Sequence, residues 1–289
     1  MPHILGSDFA GTVAAVGENV SHYAIGDRVG VNPGIWDGTC EFCLSGEAGP
    51  LCNNFKILGE HLPGGYAEFA AVPARNLIKL PGNFGFKESA ASSLVFLTAW
   101  RMLKTQVALK KNETILIIGA GGGVSSAAIQ IAKHLGATVL ATTSSNIKME
   151  QARTLGADKV YNYKENADWA KNVYLDTKKR GVDVVLDSIG ASTWEQSLRS
   201  LRNGGRLVTC GATSGPIGNT NISLVFWRQL RIIGSTMATH SEFTEVMNLI
   251  FKGVLRPVIS KEFPLQEAAN AHQYLSRMER FGKVVLKID

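Results

Sequence analysis

The N-terminal third of the chain alternates apolar and polar positions over short distances. Between Phe9 and Leu80 the alternating segments are FAGTVAAVG, GDRVGVNPG, GGYAEFAAV and RNLIKLPG, separated by glycine and proline. Alternation with a period of two predicts half-buried strands, and the glycine and proline breaks predict tight turns. This part is therefore predicted to form a small, irregular β-barrel.

From Glu113 onward the apolar segments are continuous and alternate with amphipathic stretches. Strands that are apolar along their whole length are buried on both faces, as in a parallel sheet covered by helices. Six such strands predict an α/β fold with a doubly wound parallel sheet, the Rossmann dinucleotide-binding fold. The predicted strands are TILIIGA, ATVLATT, DKVYNY, VDVVLDSIG, GRLVTCG and RIIGST, with helices over Val124 to Leu135, Asn146 to Leu155 and Ala167 to Lys179.

The last fifty residues return to mixed elements. We expect a helix near Glu242 to Phe251, a strand at PVISKEF, a helix near Gln266 to Leu275 and a final strand, GKVVLKI. No internal repeat or low-complexity linker interrupts this order.

Composition and charge narrow the class of protein. The chain has 289 residues, 45% hydrophobic and 19% charged, which is ordinary for a globular protein of two domains. It shows neither a signal peptide nor an apolar run long enough to span a membrane, so we expect a cytoplasmic protein without a membrane partner. The net charge of +6 is scattered, without an aromatic-interleaved basic patch, so no nucleic-acid partner is expected. A phosphate-bearing cofactor is the expected anion.

A glycine-rich segment, IIGAGGGVSSAAIQIAKHLGA, follows the first strand of the predicted sheet and begins a helix. Glycines let the backbone approach phosphates, and a helix N-terminus offers free N–H groups and a positive dipole. The spacing departs from G-x-G-x-x-G because Ser125 stands where the last glycine is expected. A glycine turn without a ligand is the alternative.

The end of the second strand of this sheet carries no acidic residue at Thr142, Thr143, Ser144 or Ser145. An acid here commonly holds the ribose 2′-hydroxyl of NAD, whereas an NADP site uses small polar or basic groups. Lys148 follows and can reach a 2′-phosphate. The pattern favours NADP(H), with NAD(H) the less favoured cofactor. A solvated helix cap with Lys148 in water is the alternative.

Three of the four cysteines lie within thirteen residues, in WDGTCEFCLSGEAGPLC. In a reducing compartment, cysteines at short regular spacing bind metal more often than they form a disulfide. Idle thiols remain the alternative.

Taken together, these motifs resemble those of the medium-chain dehydrogenase/reductase superfamily, which holds the zinc-type alcohol dehydrogenases and the quinone oxidoreductases. The resemblance covers essentially the whole chain, from GSDFAGTVAAVGENV through GGYAEF, GVSSAAIQIAKHLGA and GVDVVLDSIG to RFGKVVL. It implies a GroES-like domain over residues 1–95 and 238–289, with a zinc lobe near 37–52, and a Rossmann domain over 96–237. Family members normally begin upstream of PHILGSDFAG, so the resemblance implies a truncated or shortened member.

The resemblance also implies a structural zinc site. The lobe of this family carries four cysteines at C-x2-C-x2-C-x7-C, and Asp37, Cys40, Cys43 and Cys52 occupy those places with one extra residue before the last. An aspartate oxygen is an acceptable zinc ligand, so three thiolates and one carboxylate could complete a tetrahedron. Such a closed site organises a loop and performs no chemistry.

For catalysis, the zinc-dependent relatives implied by the resemblance use the His of a G-H-E triplet and a later Cys. Here the triplet is Gly6-Ser7-Asp8 and the Cys position is Leu94, so no catalytic metal site is expected. The resemblance is then closest to reductases in which NADPH transfers a hydride to a quinone, an enone or a related carbonyl. An alcohol dehydrogenase and a non-catalytic cofactor-binding protein are the alternatives.

The resemblance further implies a homodimer or homotetramer that pairs through the edge strand RIIGST. Phe96, Phe226 and Trp227 are expected to wall an apolar substrate, or else to be core or subunit contacts. The implied cofactor ligands are Thr98, Gly121, Gly122, Gly123, Val124, Ser125, Ser144, Ser145, Lys148, Tyr163, Ile189, Gly211, Ala212, Ser235, Met237 and Lys283.

Overall fold

The computed structural model describes residues 3–46, 49–277 and 279–288, so that Glu47 and Ala48 of the predicted zinc lobe lie outside the described residues. The chain divides into two compact units. Unit 1 comprises Met1–Leu97 and Met237–Asp289, and unit 2 comprises Thr98–Thr236. Among the described residues, no helix has the length and apolar character needed to cross a membrane.

The N-terminal part of unit 1 consists of short strands in two small antiparallel sheets. One sheet has the order β1-β2-β5, and the other pairs β3 with β4. The elements are β1 Ala10–Thr12, β2 Arg28–Val31, β3 Gly34–Ile35, α1 Glu41–Leu44, β4 Lys56–Ile57, β5 Leu77–Lys79 and the long helix α2 Phe86–Trp100, which continues into unit 2 at Thr98.

The predicted strand GGYAEFAAV does not form. Three consecutive N–H groups, those of Gly64, Gly65 and Tyr66, donate to the carbonyls of residues 4, 6 and 5, at 2.7 to 2.9 Å. In a β-ladder only alternate residues face the same neighbour, so consecutive donation gives a compact, irregular pairing. The alternation in the sequence predicted partial burial and missed this arrangement.

Unit 2 is built on a six-stranded parallel sheet of order β11-β10-β9-β6-β7-β8. This is the predicted doubly wound arrangement, with the first strand of the unit, β6, beside the point where the strand order reverses. The strands are β6 Thr114–Ile117, β7 Thr138–Thr143, β8 Lys159–Asn162, β9 Val182–Asp187, β10 Leu201–Thr209 and β11 Arg231–Gly234. The helices are α3 Gly123–His134, α4 Asn146–Thr154, α5 Trp169–Asp176, α6 Trp194–Ser200 and α7 Ile222–Trp227.

Helix α5 is shorter than the predicted Ala167 to Lys179. It begins after Asp168, whose carboxylate accepts from the N–H of Lys171 as an N-cap. It ends at Asp176 because Lys178 and Lys179 adopt φ angles of 53° and 63°, in the left-handed region that terminates helices. The basic residues at the C-terminal end of this segment therefore lie in a turn.

The core of unit 2 follows from burial of the sheet on both faces. Ile115, Leu116 and Ile117 are fully buried on β6, and every residue of β9 is buried. Consecutive side chains of a strand point to opposite faces, so a fully buried strand requires helices on both sides. Burial on both faces explains why the strands of this sheet are apolar along their whole length.

The chain returns to unit 1 through α8 His240–Phe251, β12 Ile259–Pro264, α9 Ala268–Ser276 and β13 Lys283–Lys287. Helix α8 begins with a capping box in which Thr239 and Glu242 satisfy each other's backbone N–H groups. Strands β12 and β13 pair in parallel, with α9 as the connecting helix.

Candidate cofactor and metal sites

The turn between β6 and α3 has the features of a pyrophosphate site. Gly119 adopts a φ of 70°, which glycine tolerates without strain. Gly122 is the N-cap residue of α3, and no side chain caps the helix. Among the described residues, the first N–H groups of α3 have no side-chain partner, and the helix dipole adds positive potential there. The predicted residues of this segment, Gly121, Gly122, Gly123, Val124 and Ser125, all lie in the turn or the first turn of α3.

Ser125, at the position where a glycine is expected, links α3 to the end of β6. Its hydroxyl donates to the carbonyl oxygen of Ile118 at 2.8 Å, and the residue is 1% exposed. The hydrogen bond holds α3 against the end of β6. The serine thus replaces the close glycine packing with a polar contact.

The carboxyl end of β7 is tied to the same turn. Thr142 accepts from the N–H of Gly119 through Oγ1 at 3.1 Å and from the N–H of Ala120 through its carbonyl at 2.8 Å. Ser145 is the N-cap of α4 and accepts from the N–H of Lys148. Lys148 is 9% exposed, so it is not the solvated lysine of the cap-only interpretation. Ser144 and Tyr163 are partly buried, and the N–H of Tyr163 donates to the carbonyl of Thr143 at 2.9 Å.

A fully buried carboxylate, Asp187, organises the loop after β9. Its Oδ1 accepts from the N–H groups of Ile189 and Gly190 at 2.8 and 3.2 Å. Its Oδ2 accepts from the hydroxyls of Thr193 and Ser197 at 2.7 and 2.6 Å. Four donors satisfy the charge, as a buried carboxylate requires, and fix the loop to the start of α6.

This loop borders a cavity of about 500 Å³ within unit 2, at the carboxyl ends of β9, β10 and β11. In doubly wound sheets ligands bind outside the carboxyl ends of the strands, at the point where the strand order reverses. Gly211, Ala212 and Ser235, three of the cofactor ligands that the resemblance implies, line the cavity. The structure also adds lining residues that the sequence analysis missed, among them Gly190, Trp194 and Cys210.

The donor set in unit 2 fits a nicotinamide cofactor. The hydroxyls of Thr98 and Ser235 are buried without a hydrogen-bond partner among the described residues, so each can bond a ligand. Ile189 packs beside the glycine turn: its Cδ1 would lie 3.3 Å from a Cβ built on Gly119. When bound, a nicotinamide would supply the hydride of a reduction.

The remaining predicted cofactor residues lie in unit 1. Met237 is 4% exposed and adopts a φ of 49°. Lys283 forms an ion pair with Asp8, with 2.6 Å between Nζ and Oδ2. Oδ1 of Asp8 accepts from the N–H of Leu94 at 2.6 Å. The triplet Gly6-Ser7-Asp8 and Leu94, the two catalytic-metal positions implied by the resemblance, are therefore neighbours.

Asp37, Cys40, Cys43 and Cys52 come together in unit 1. One ligand atom from each lies within 4.8 Å of the others, and within the described residues this is the one group of three or more possible metal ligands. Sγ of Cys40 and Sγ of Cys43 are 3.6 Å apart. A tetrahedral zinc with bonds of about 2.3 Å to sulfur places two sulfurs about 3.8 Å apart, so the residues fit the ion.

The carboxylate of Asp37 is held in its ionised form. The N–H groups of Thr39 and Cys40 and the side-chain amide of Asn54 donate to it at 2.8 to 3.0 Å, and these bonds hold its pKa below the ordinary value. Burial raises the pKa of the Cys43 thiol to about 11, so zinc binding must release its proton. Asn54, which the sequence analysis did not single out, thus orients a candidate ligand.

The three aromatic residues expected to line an apolar substrate differ in exposure. Phe96 is 2% exposed and belongs to the core of unit 1. The rings of Phe226 and Trp227, at the end of α7, are tilted by 39° with 5.6 Å between centroids, and the residues are 59% and 77% exposed. Phe96 is therefore a core residue, and the other two form part of a surface.

Comparisons with known proteins agree with this geometry. Residues 1–82 match the alcohol dehydrogenase GroES-like domain, and residues 123–252 match the zinc-binding dehydrogenase family. The acryloyl-coenzyme A reductase of Sulfurisphaera tokodaii is 31% identical over 99% of this chain and 84% of its own length. The quinone oxidoreductase of Mus musculus is 32% identical over 99% of this chain and 80% of its own.

Solved structures of oxidoreductases are also similar to this chain. The crystal structure of an NAD-dependent alcohol dehydrogenase matches with a TM-score of 0.95 and 44% identity, over 100% of this chain and 84% of the other. The 2-octenoyl-CoA carboxylase reductase CinF, in complex with NADP and 2-octenoyl-CoA, matches with a TM-score of 0.91 and 33% identity, over 98% of this chain and 68% of the other. The chain belongs to the medium-chain dehydrogenase/reductase superfamily, a family of oxidoreductases, with a GroES-like domain and a Rossmann domain.

The metal site leads to a first prediction. Dialysed protein should retain one zinc ion per chain, because three thiolates and an ionised carboxylate converge on one point. Replacing Cys43 by serine should abolish zinc retention, and Asp37→Asn should weaken it. Elemental analysis against protein concentration measures both.

The fourth cysteine provides the matched control, since Cys210 lies outside the cluster and its replacement by serine should leave the zinc content unchanged. Wild-type protein without zinc, or with a disulfide between two of the clustered cysteines, would contradict the assignment.

Proposed function

We propose that the protein is an NADP(H)-dependent reductase of a quinone, an enone or a related conjugated carbonyl, with a structural zinc and no catalytic metal. The observation that carries the proposal is the environment of Asp8. A catalytic zinc needs three protein ligands and an open position, and this chain has Ser7 and Leu94 at two of the implied ligand positions. A neutral serine hydroxyl is a poor zinc ligand and leucine is none.

The neighbouring carboxylate is already occupied. Both oxygens of Asp8 are engaged, one by Lys283 and one by the N–H of Leu94, and its side chain is 13% exposed. The cation that pairs with this carboxylate is thus the ammonium of Lys283, 2.6 Å away, rather than a metal ion. The ion pair holds the ammonium of Lys283 and the carboxylate of Asp8 next to Ser7.

A conjugated acceptor suits such a site. Reduction of an enone or a quinone gives a delocalised enolate or hydroquinone, which needs less stabilisation than the localised alkoxide of a simple ketone. Hydrogen bonds can provide that stabilisation. The printed names of two relatives, an acryloyl-coenzyme A reductase and a quinone oxidoreductase, support this substrate class.

An alcohol dehydrogenase is the second candidate, favoured by the 44% identity to an NAD-dependent alcohol dehydrogenase. It would require activation of an alcohol, for which Lewis-acid activation is the usual route in zinc enzymes. A cofactor-binding protein without turnover is the third candidate. Consumption of NADPH against quinones, enones, aldehydes and ketones distinguishes the three.

The preference for NADP(H) rests on the end of β7. Thr142 and Thr143 are buried neutral residues, and no acid is present to hold a ribose 2′-hydroxyl. Ser144, Ser145 and the buried Lys148 supply small polar and basic groups. NADP in the complex of CinF is in line with this preference.

The proposed dimer forms through unit 2. Strand β11 is an edge strand of the sheet, so one row of its backbone groups is available to a second chain. Ile232 on this strand is 43% exposed, and Ile222, Phe226 and Trp227 of α7 expose further apolar surface. A homodimer, or a homotetramer built from it, would cover these residues.

The cofactor preference gives a second prediction. Lys148→Ala should weaken NADPH binding roughly tenfold or more, because a charge-assisted phosphate contact contributes about 1.5 to 3 kcal/mol. NADH binding should be nearly unchanged, because NADH lacks the 2′-phosphate. Fluorescence titration of both cofactors measures the ratio.

The exposed Lys171 on α5 provides a control, since its replacement by alanine removes the same charge elsewhere on unit 2. Equal wild-type affinities for NADPH and NADH would show that the proposed preference is wrong.

A third prediction concerns the metal. Reduction of a quinone or an enone should be faster than oxidation of a simple alcohol, because hydrogen bonds alone activate the carbonyl. Exchange of zinc for cobalt should leave the rate unchanged while the structural site stays filled. Two zinc ions per chain, with activity that is lost when the weaker one is removed, would favour the alcohol dehydrogenase.

The proposed dimer gives a fourth prediction. Ile232→Asp should convert the assembly to monomers, because it places a charge at the paired edge without touching the buried core. Light scattering after size exclusion measures the mass. Ile147→Asp is the control, since Ile147 is 76% exposed on α4 and should have no effect on assembly. A wild-type monomer at micromolar concentration would refute the interface.

A further inference from the structure

We propose that the hydroxyl of Tyr66 is a catalytic residue that donates a hydrogen bond to the carbonyl oxygen of the substrate. The inference rests on the proposed function and assigns to one residue the polarisation that a catalytic metal would otherwise supply. The residue was not among the candidate site residues identified from the sequence.

The first observation is the position of the Tyr66 ring. A Cβ on Gly6 would lie 2.3 Å from Cδ1 and 2.7 Å from Cε1 of Tyr66, so the ring rests directly on the backbone of Gly6. Gly6 adopts a φ of 96°, and glycine is the residue that permits both this conformation and this contact. The ring is thereby placed beside Ser7 and Asp8, at the implied catalytic-metal position.

The backbone fixes this placement. The N–H of Tyr66 donates to the carbonyl of Leu5 at 2.9 Å, and the N–H of Gly65 donates to the carbonyl of Gly6 at 2.7 Å. The ring also makes an edge contact with His272, with 6.1 Å between centroids. Backbone hydrogen bonds and the contact with His272 therefore both fix the position of the ring. A fixed donor is what preorganised catalysis requires.

The second observation is the hydroxyl itself. Three other tyrosines, Tyr23, Tyr161 and Tyr274, bond their hydroxyls to protein groups. The hydroxyl of Tyr66 has no hydrogen-bond partner in the described parts of the chain, although the residue is partly buried. A donor held in place without a protein acceptor is available to a ligand.

The third observation is the electrostatic environment. Burial raises the pKa of Tyr66, with the Lys283 ammonium opposing the shift and the Asp8 carboxylate adding to it. The hydroxyl therefore stays protonated at neutral pH and acts as a donor. The ammonium of Lys283 and the carboxylate of Asp8, paired with each other at 2.6 Å, act on this hydroxyl with opposite signs, so the hydroxyl itself is the donor that the site offers.

Tyr66→Phe tests the role, because it removes the hydroxyl and keeps the ring on Gly6 and His272. With 2-cyclohexen-1-one and NADPH, kcat should fall about 100-fold, the usual loss for one donor to a developing oxyanion. KM should change far less. Tyr174→Phe removes a hydroxyl from the partly exposed face of α5 and should leave kcat unchanged.

A binding assay separates this proposal from the proposed function. The phenolate of p-nitrophenol carries a delocalised oxyanion like that of an enolate, and its absorption reports binding without turnover. Tyr66→Phe should bind it roughly tenfold more weakly than wild type, the effect of one lost hydrogen bond.

Failure of each proposal has its own signature. A wild type that reduces no carbonyl of the panel would refute the proposed function, and the p-nitrophenol comparison would still decide the role of Tyr66. Equal affinity of wild type and Tyr66→Phe for p-nitrophenol would overturn it. An unchanged kcat in the variant, with an active wild type, would also overturn it and leave the proposed function standing.

Discussion

Unit 2 depends on the burial of a charge at the carboxyl end of its sheet. Asp187 follows five apolar or paired positions of β9 and is itself inaccessible to solvent, so all four of its hydrogen bonds must come from protein donors. Those donors are two backbone N–H groups and two hydroxyls of the following loop and helix. Satisfying one carboxylate therefore fixes the loop that borders the cavity, and removing a single donor would leave a buried charge with an open position.

Hydrogen bonds also join the other parts of the candidate cofactor site. Parallel strands end at one edge of the sheet, so the turn after β6 and the polar end of β7 are brought together by topology. Thr142 joins them through two hydrogen bonds to the glycine turn. The hydroxyls of Thr98 and Ser235 remain without protein partners in the described chain, which is costly unless a ligand or water bonds them. These two hydroxyls are therefore candidate contacts for the proposed cofactor.

Unit 1 is stabilised by contacts between short segments rather than by one large sheet. Its sheets have two or three strands, and segments of this size are marginal without further support. The proposed zinc ion on Asp37 and the three cysteines would provide one support, since a metal that closes a loop stabilises the folded chain. The pairing of residues 64–66 with residues 4–6 and the ion pair of Asp8 with Lys283 provide others, linking segments that are 275 positions apart in the second case.

The sequence by itself determined the parallel sheet and the glycine turn, because burial of both strand faces and a tight turn before a helix each demand particular residue types. The family followed from the resemblance of its motifs along the whole chain. The spacing of the three cysteines indicated a metal site, and the resemblance to the family added Asp37 as the fourth ligand. Only the tertiary structure decided the irregular backbone at GGYAEFAAV, the early end of α5, the burial of Lys148 and the placement of Tyr66 on Gly6. These depend on contacts between segments far apart in the chain, or on left-handed backbone at non-glycine residues, and neither leaves a periodic signal in the sequence.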